Sequence, residues 1–211
     1  MVRFADRADA GRRLGDRLAA ELGPLGRDEG VVLGLPRGGV VVAAGVADRL
    51  GLPLDAVVVR KLGLPWHPEL AMGAIAGDVI VRNERVLADT GVEPEAVERV
   101  VRAERAELAR REAAYRRGRP PLPVEGRTVI VVDDGLATGA TARAALRAVR
   151  ARRPRRLLLA VPVAPGHTDL AGDADDLLAI ARPSPFGAVG RYYDDFAATT
   201  DDEVVRLLAR W

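Results

Sequence analysis

Short apolar runs, each too brief for a buried helix and each followed by a turn signal, constrain this chain most. They are Val31 to Leu35, the DAVVVR stretch Asp55 to Arg60, Val129 to Val132, Leu157 to Val161 and Leu177 to Ala181. An unbroken run of β-formers without polar alternation suits a strand buried on both faces. From Val129 to Ala181 such runs alternate with a helical pattern, Thr141 to Arg152. That is the order of a parallel sheet joined by right-handed crossovers. The expected fold is α/β, a parallel sheet flanked by helices.

The third run ends in two adjacent carboxylates: VIVVDDGLATGAT, Val129 to Thr141. In open α/β sheets, ligands sit beyond the carboxyl ends of the strands. Gly135 and Gly139 admit tight backbone, and the loop opens a helix whose free N–H groups and dipole favour an anion. Thr138 and Thr141 add hydroxyl donors or caps. A phosphate monoester fits the loop. Asp133 and Asp134 then have three readings: ligands of a metal shared with the phosphate, acceptors for a polyol such as a ribose diol, or a phosphoacceptor. No GxxxxGK[ST] precedes the loop, and GLPRGG at Gly34 to Gly39 is not a GxGxxG. The plain alternative is a capped helix after a buried strand.

The thirteen-residue stretch resembles the signature of type I phosphoribosyltransferases, which bind phosphoribosyl pyrophosphate (PRPP). The resemblance implies that Asp133 and Asp134 hold the ribose 2′ and 3′ hydroxyls. It implies that Ala137, Thr138, Gly139, Ala140 and Thr141 hold the 5′-phosphate. Gly135 stands where an aliphatic residue is usual. The implied fold is the type I phosphoribosyltransferase-like parallel sheet with a small C-terminal hood. The whole chain is read as one domain, with a core over about 28–182 and a hood over about 183–211 joined by the N-terminal helix.

PRPP also carries a pyrophosphate. Arg37 with the N–H groups of Gly38 and Gly39, after the first strand, forms a candidate nest for it. Thirty-two basic residues include a single lysine, Lys61, at the end of the second strand. Lysine is a compact point charge that arginine does not replace. The family often places a basic residue here against pyrophosphate, so Lys61 joins Asp133 and Asp134 as a catalytic candidate. A turn with an exposed arginine and a surface lysine are the plain alternatives. Lys61 to Leu70, with Gly63, Pro65 and Pro68 as breakers, reads as irregular, and Leu62 to Leu70 as the flexible loop over the site. Trp66, His67 and Glu69 receive no role, and neither His67 nor His167 has metal-ligand spacing.

PFGAVGRYYDDF, Pro185 to Phe196, resembles the base-binding end of 6-oxopurine phosphoribosyltransferases, with a short apolar strand ending Val-Gly. On that match Phe186 stacks on the acceptor, Val189 offers backbone groups to its edge, and Asp194 lies near magnesium and pyrophosphate. An aromatic mini-core is the alternative. Ala137 stands where that group usually carries an Asp, and LLLAVPVAP, Leu157 to Pro165, has no base-reading lysine. The expected activity is transfer of the 5-phosphoribosyl group of PRPP to a nucleobase-like acceptor with release of pyrophosphate, Mg²⁺ assisting. The rival is a PRPP- or nucleotide-binding regulator without catalysis, RNA-binding among its options; a phosphoaspartyl receiver is weaker.

With 211 residues, 48% hydrophobic and 29% charged, the composition is that of a folded globular chain. A net charge of +2 does not argue for nucleic acid as a partner. The absence of cysteine excludes disulfides, thiolate metal sites and thiol catalysis. No apolar leader or membrane-length run is visible, so the expectation is a cytoplasmic protein without a membrane partner. The other elements expected are a helix over Arg7 to Leu22, one over Val40 to Leu50, a hairpin about Gly77-Asp78, and a long helix over Glu93 to Arg117. That helix reads as a solvated, salt-bridged face, and a subunit contact, as in a homodimer, or an RNA-binding role is its sharper alternative.

Overall fold

A computed structural model describes residues 2–168, 170 and 172–211. The elements run α1 (Arg7–Leu22), β1 (Gly30–Gly34), α2 (Gly38–Leu50), β2 (Leu54–Ala56), β3 (Arg60–Leu64), β4 (His67–Ala76) and β5 (Val79–Arg82). Then follow α3 (Glu84–Thr90), α4 (Pro94–Arg116), β6 (Thr128–Val132), α5 (Ala140–Ala151), β7 (Arg156–Val163), β8 (Asp176–Ala181), a 3₁₀ turn at Val189–Tyr192, and α6 (Asp201–Leu208).

Five strands form a parallel sheet in the order β2-β1-β6-β7-β8. Successive side chains of a strand point to opposite faces, and both faces here are covered. Val32, Ile130, Val132 and Ala160 join one apolar cluster with α1 and α2. Val31, Leu33, Val129, Val131 and Leu157 join another with α5. This double burial is why the runs read as continuously apolar. No helix among the described residues is long and apolar enough to cross a membrane.

Two expectations change. The second strand, expected over Asp55 to Arg60, leaves the sheet after Ala56. Val57 still donates its N–H to the Gly34 carbonyl (3.0 Å), but Val57 and Val58 are buried outside the ladder. Burial without pairing leaves the same apolar signature. The stretch Lys61 to Leu70, expected as an irregular flexible loop, is mostly β3 and the start of β4, part of a separate antiparallel sheet β3-β4-β5. Its breakers occupy positions where strands tolerate them: the register shifts at Gly63, where a Cβ would stand 2.4 Å from the Pro68 carbonyl oxygen. The hairpin at Gly77-Asp78 forms as expected, with Gly77 at φ +55°. The unexpected α3 is seven residues long and buries no residue, so it leaves no apolar period to read.

The long helix α4 begins at Pro94 and turns Val101, Leu108 and Tyr115 inward. Glu98 and Arg102 pair on its outer face at 3.6 Å. It is also tied to the core, by Arg60 to Glu104 (2.7 Å) and by Arg116 to the buried Asp55 (3.2 Å).

Helix α1 lies on α2 through small residues. A Cβ on Gly11 would stand 2.5 Å from the Val42 carbonyl oxygen, and one on Gly45 2.8 Å from the Gly11 carbonyl carbon. Those neighbours are backbone and cannot swing away. Ala at position 11 would gain about 1 kcal/mol of helix propensity, but overpacking costs about 1–3 kcal/mol. Gly11→Ala is therefore expected to lower the urea midpoint; an unchanged or raised midpoint would show that the helices are not locked at this crossing.

Candidate functional site

Strands β1 and β6 are neighbours, so the loops leaving their carboxyl ends lie side by side. The Leu35 N–H donates to the Val132 carbonyl at 2.9 Å and closes the gap between them. One loop, Leu35 to Gly39, opens α2 and contains a cis Pro36–Arg37 peptide. The other, Asp133 to Gly139, opens α5.

Asp133 and Asp134 stand together at the lip of β6. The Oδ1 of Asp133 accepts the N–H of Asp134 at 2.9 Å. The Oδ2 of Asp134 accepts from the Nε of Arg7 at 2.8 Å. Each carboxyl thus has one engaged oxygen. Asp133 Oδ2 and Asp134 Oδ1 accept no hydrogen bond among the described residues, and neither is a fully buried unpaired atom. Burial raises the Asp133 pKa to about 8, with the charge of Asp134 adding to the rise; the Asp134 N–H and Arg7 oppose it. Tyr193 donates its hydroxyl to the Asp134 carbonyl at 2.5 Å. Burial first, then the nearby Asp134 charge, raises the phenol's pKa, so it remains protonated.

The loop after the acids has a fixed base and an open rim. Leu136 is buried and donates its N–H to the Val163 carbonyl at 2.8 Å. Ala137, Thr138, Ala140 and Thr141 are exposed, and Gly139 sits in the left-handed region at φ +77°. No side chain caps the N-terminus of the twelve-residue α5. Its first N–H groups are therefore open to an external anion.

The departure at Gly135 has a steric reason. A Cβ there would fall 2.3 Å from Val189 Cγ1 and 3.2 Å from Val163 Cγ1. The hood side chain occupies the space of the usual aliphatic one. Val189 opens a 3₁₀ turn rather than closing a short strand. Phe186 is half-buried and stacks on Tyr192 at 5.6 Å, within an aromatic cluster that includes Phe4 and Tyr193. That cluster joins the N-terminal segment to the hood: Phe4 donates its N–H to the Tyr192 carbonyl, and Asp194 donates its N–H to the Phe4 carbonyl, both at 2.9 Å.

The structure brings Asp133, Asp134, Gly38 and Gly39 together. A Cβ on Gly38 would stand 2.0 Å from Asp134 Oδ2, and one on Gly39 2.9 Å from Asp133 Oδ1. Arg37 is exposed at the start of α2. Lys61 lies on β3 and pairs with Glu69 of β4 at 3.3 Å, half-exposed. Asp194 is exposed and paired with Arg3 at 2.5 Å. Arg7 is the residue that sequence reasoning missed. As one arginine among many, at the first position of a helix, it carries no local signal.

A sequence model of the phosphoribosyl transferase domain matches residues 7–194. A Mycobacterium tuberculosis protein named "Putative phosphoribosyl transferase" is 49% identical over 213 residues, covering 100% of this chain and 47% of its own length. The chain thus spans about half the length of that curated relative. A Streptomyces coelicolor protein named "Bifunctional protein PyrR" is 31% identical over 151 residues, 71% of this chain and 61% of its own. The crystal structure of TT1426 from Thermus thermophilus superposes with a TM-score of 0.83 at 43% identity, covering 100% of this chain and 99% of that one.

Two expectations follow from the geometry. Gly135→Ile should lower the melting temperature by pushing Val189 out, and Val189→Ala in the same chain should recover part of the loss. Additive losses would show that the two side chains do not compete for one space. An aspartate whose folded pKa is raised costs stability as pH climbs from about 4, and the cost levels off above the folded value. Asp133→Asn keeps the acceptor for the Asp134 N–H. It should stabilise the free protein by about 1–3 kcal/mol at pH 8 and by much less at pH 5. Equal effects at the two pH values, read from urea midpoints, would contradict the burial of that charge.

Proposed function

The chain belongs to the phosphoribosyl transferase family, and on that premise we propose that it transfers the 5-phosphoribosyl group of PRPP to a nucleobase-like acceptor, releasing pyrophosphate. One observation carries the reading. Two neighbouring carboxyls each keep a single uncommitted oxygen, Asp133 Oδ2 and Asp134 Oδ1, directly before an uncapped helix N-terminus. Two acceptors suit two adjacent hydroxyls. The N–H groups of the following loop suit a phosphate on the same sugar.

In this proposal Asp133 and Asp134 take the ribose 2′ and 3′ hydroxyls, and Ala137 to Thr141 take the 5′-phosphate. The sugar is then held at both ends, leaving its anomeric carbon fixed for reaction. As the bond from that carbon to the pyrophosphate oxygen breaks, the bonding pair leaves with pyrophosphate and the carbon becomes cation-like. An acceptor nitrogen then supplies the new bonding pair, and the proton the acceptor gives up passes to solvent. Arg37, the N–H groups of Gly38 and Gly39, and Lys61 are the candidates to neutralise the leaving group. Lys61 would have to exchange Glu69 for it.

The described residues hold no group of three or more carboxylates and histidines able to cage a metal. Asp194, exposed on Arg3, does not fit that role as it stands. Magnesium enters the proposal as the counter-ion of the donor's pyrophosphate, a mode in which phosphate oxygens supply much of the coordination. The same geometry would serve a protein that binds PRPP without turning it over. Ala137 bears on the acceptor rather than on catalysis: the 6-oxopurine enzymes of the resemblance carry a carboxylate there, so its absence argues against a hypoxanthine or guanine acceptor.

Incubation with Mg²⁺, PRPP and a panel of bases, followed by pyrophosphate release, tests transfer. Release that depends on an acceptor supports the enzyme. Tight PRPP binding without it leaves the binding protein. PRPP at about a hundred times its Kd should stabilise the fold by about 2.7 kcal/mol. Asp134→Asn should weaken its binding at least about tenfold, or about 1.4 kcal/mol. No stabilisation by PRPP, with the Asn variant behaving like the parent, would remove both readings.

A further inference from the structure

Arg7 has no part in the functional reading above, yet it is built into the site. Its guanidinium is only 11% exposed and the carboxylate of Asp134 18%. Three contacts fix it. Nε donates to Asp134 Oδ2 at 2.8 Å, Nη1 donates to the Ala197 carbonyl at 2.7 Å, and the guanidinium carbon lies 3.8 Å above the centre of the Phe196 ring. Phe196 is braced by Tyr193, their rings 4.9 Å apart, and Tyr193 in turn holds the Asp134 carbonyl. The hood therefore grips Asp134 at both its side chain and its main chain.

The core makes room for this grip. A Cβ on Gly38 would strike Asp134 Oδ2 and stand 2.6 Å from Arg7 Nε. The absence of a side chain there serves the ion pair as much as any pyrophosphate. Arg7 is also the first residue of α1, which backbone contacts lock onto α2. A planar fork held at two donors and one face is a rigid device, unlike a surface pair free to wander.

We propose that Arg7 is a positioning residue for sugar recognition: by occupying Asp134 Oδ2 it leaves Oδ1 as the oxygen for a ribose hydroxyl, and so links ribose selectivity to the hood. Arg7 touches no reacting atom in this scheme. It acts through Asp134, setting the orientation of the carboxylate and supplying its counter-charge. Without it, Asp134 would be free to rotate, and its charge would face an anionic ligand unneutralised. The inference rests on the reading of Asp133 and Asp134 as a diol clamp.

Calorimetric titration with three ligands separates the possibilities. Ribose 5-phosphate engages the clamp and the phosphate loop, 2-deoxyribose 5-phosphate lacks one hydroxyl, and pyrophosphate engages neither. The parent is expected to bind ribose 5-phosphate about tenfold more tightly than the deoxy sugar, the worth of one hydrogen bond to a charged group. Arg7→Gln should bring that ratio to within about threefold while pyrophosphate affinity stays within about twofold. Phe196→Leu, which keeps the ion pair but removes the ring beneath it, should lower the ratio by less; it decides the matter if Arg7→Gln does not fold. A parent-like ratio in Arg7→Gln overturns the inference and leaves the clamp standing. Loss of pyrophosphate binding along with selectivity also overturns it, since Arg7 would then be only a structural tie. A parent that does not distinguish the two sugars removes the clamp itself.

Discussion

Two like charges fixed side by side at the end of a buried strand repel, and the rest of the site is arranged around that repulsion. The Asp134 N–H turns back to Asp133, Arg7 comes from α1 to Asp134, and burial holds Asp133 toward its neutral form. Glycines at 38 and 39 keep the adjoining loop clear of both carboxyls. Such an arrangement is expensive in a free protein. In the proposed function it becomes useful once a ligand supplies two hydroxyl donors, because the groups that restrain the acids take one oxygen from each and leave the other.

The arrangement also explains why the ends of the chain meet here. Phe4, Tyr192 and Tyr193 pack together, and the backbone of the N-terminal segment bonds to the stretch before α6. That joint delivers Arg7 from one terminus, and Tyr193 and Phe196 from the other, to a single aspartate on the central strand β6. The fold positions the acids through the sheet and restrains them through the hood.

Much of this is legible in the sequence. VIVVDDGLATGAT placed the strand, the acids, the loop and the helix correctly, because strand burial, turn chemistry and helix start all point the same way over those residues. Legibility failed where two physical states share one pattern. Val57 and Val58 are buried beyond the end of β2, and look like strand. Gly63 and Pro68 sit in a bulged antiparallel pair, and look like a loop. The Arg7–Asp134 contact spans 127 positions of sequence, which no local window can hold. In the sequence Gly135 is only a departure; its reason is the distant Val189, whose side chain fills the space it leaves.

In the proposed function one sugar is read at two places, its hydroxyls by the acids and its phosphate by the loop. A crystal structure of the protein with ribose 5-phosphate tests it directly. The expected result is the 2- and 3-hydroxyls within hydrogen-bond distance of Asp133 Oδ2 and Asp134 Oδ1, the phosphate on the N–H groups of Ala137 to Thr141, and Arg7 still on Asp134 Oδ2. A phosphate bound instead at Arg37 to Gly39, with the sugar hydroxyls turned away from both acids, would contradict it.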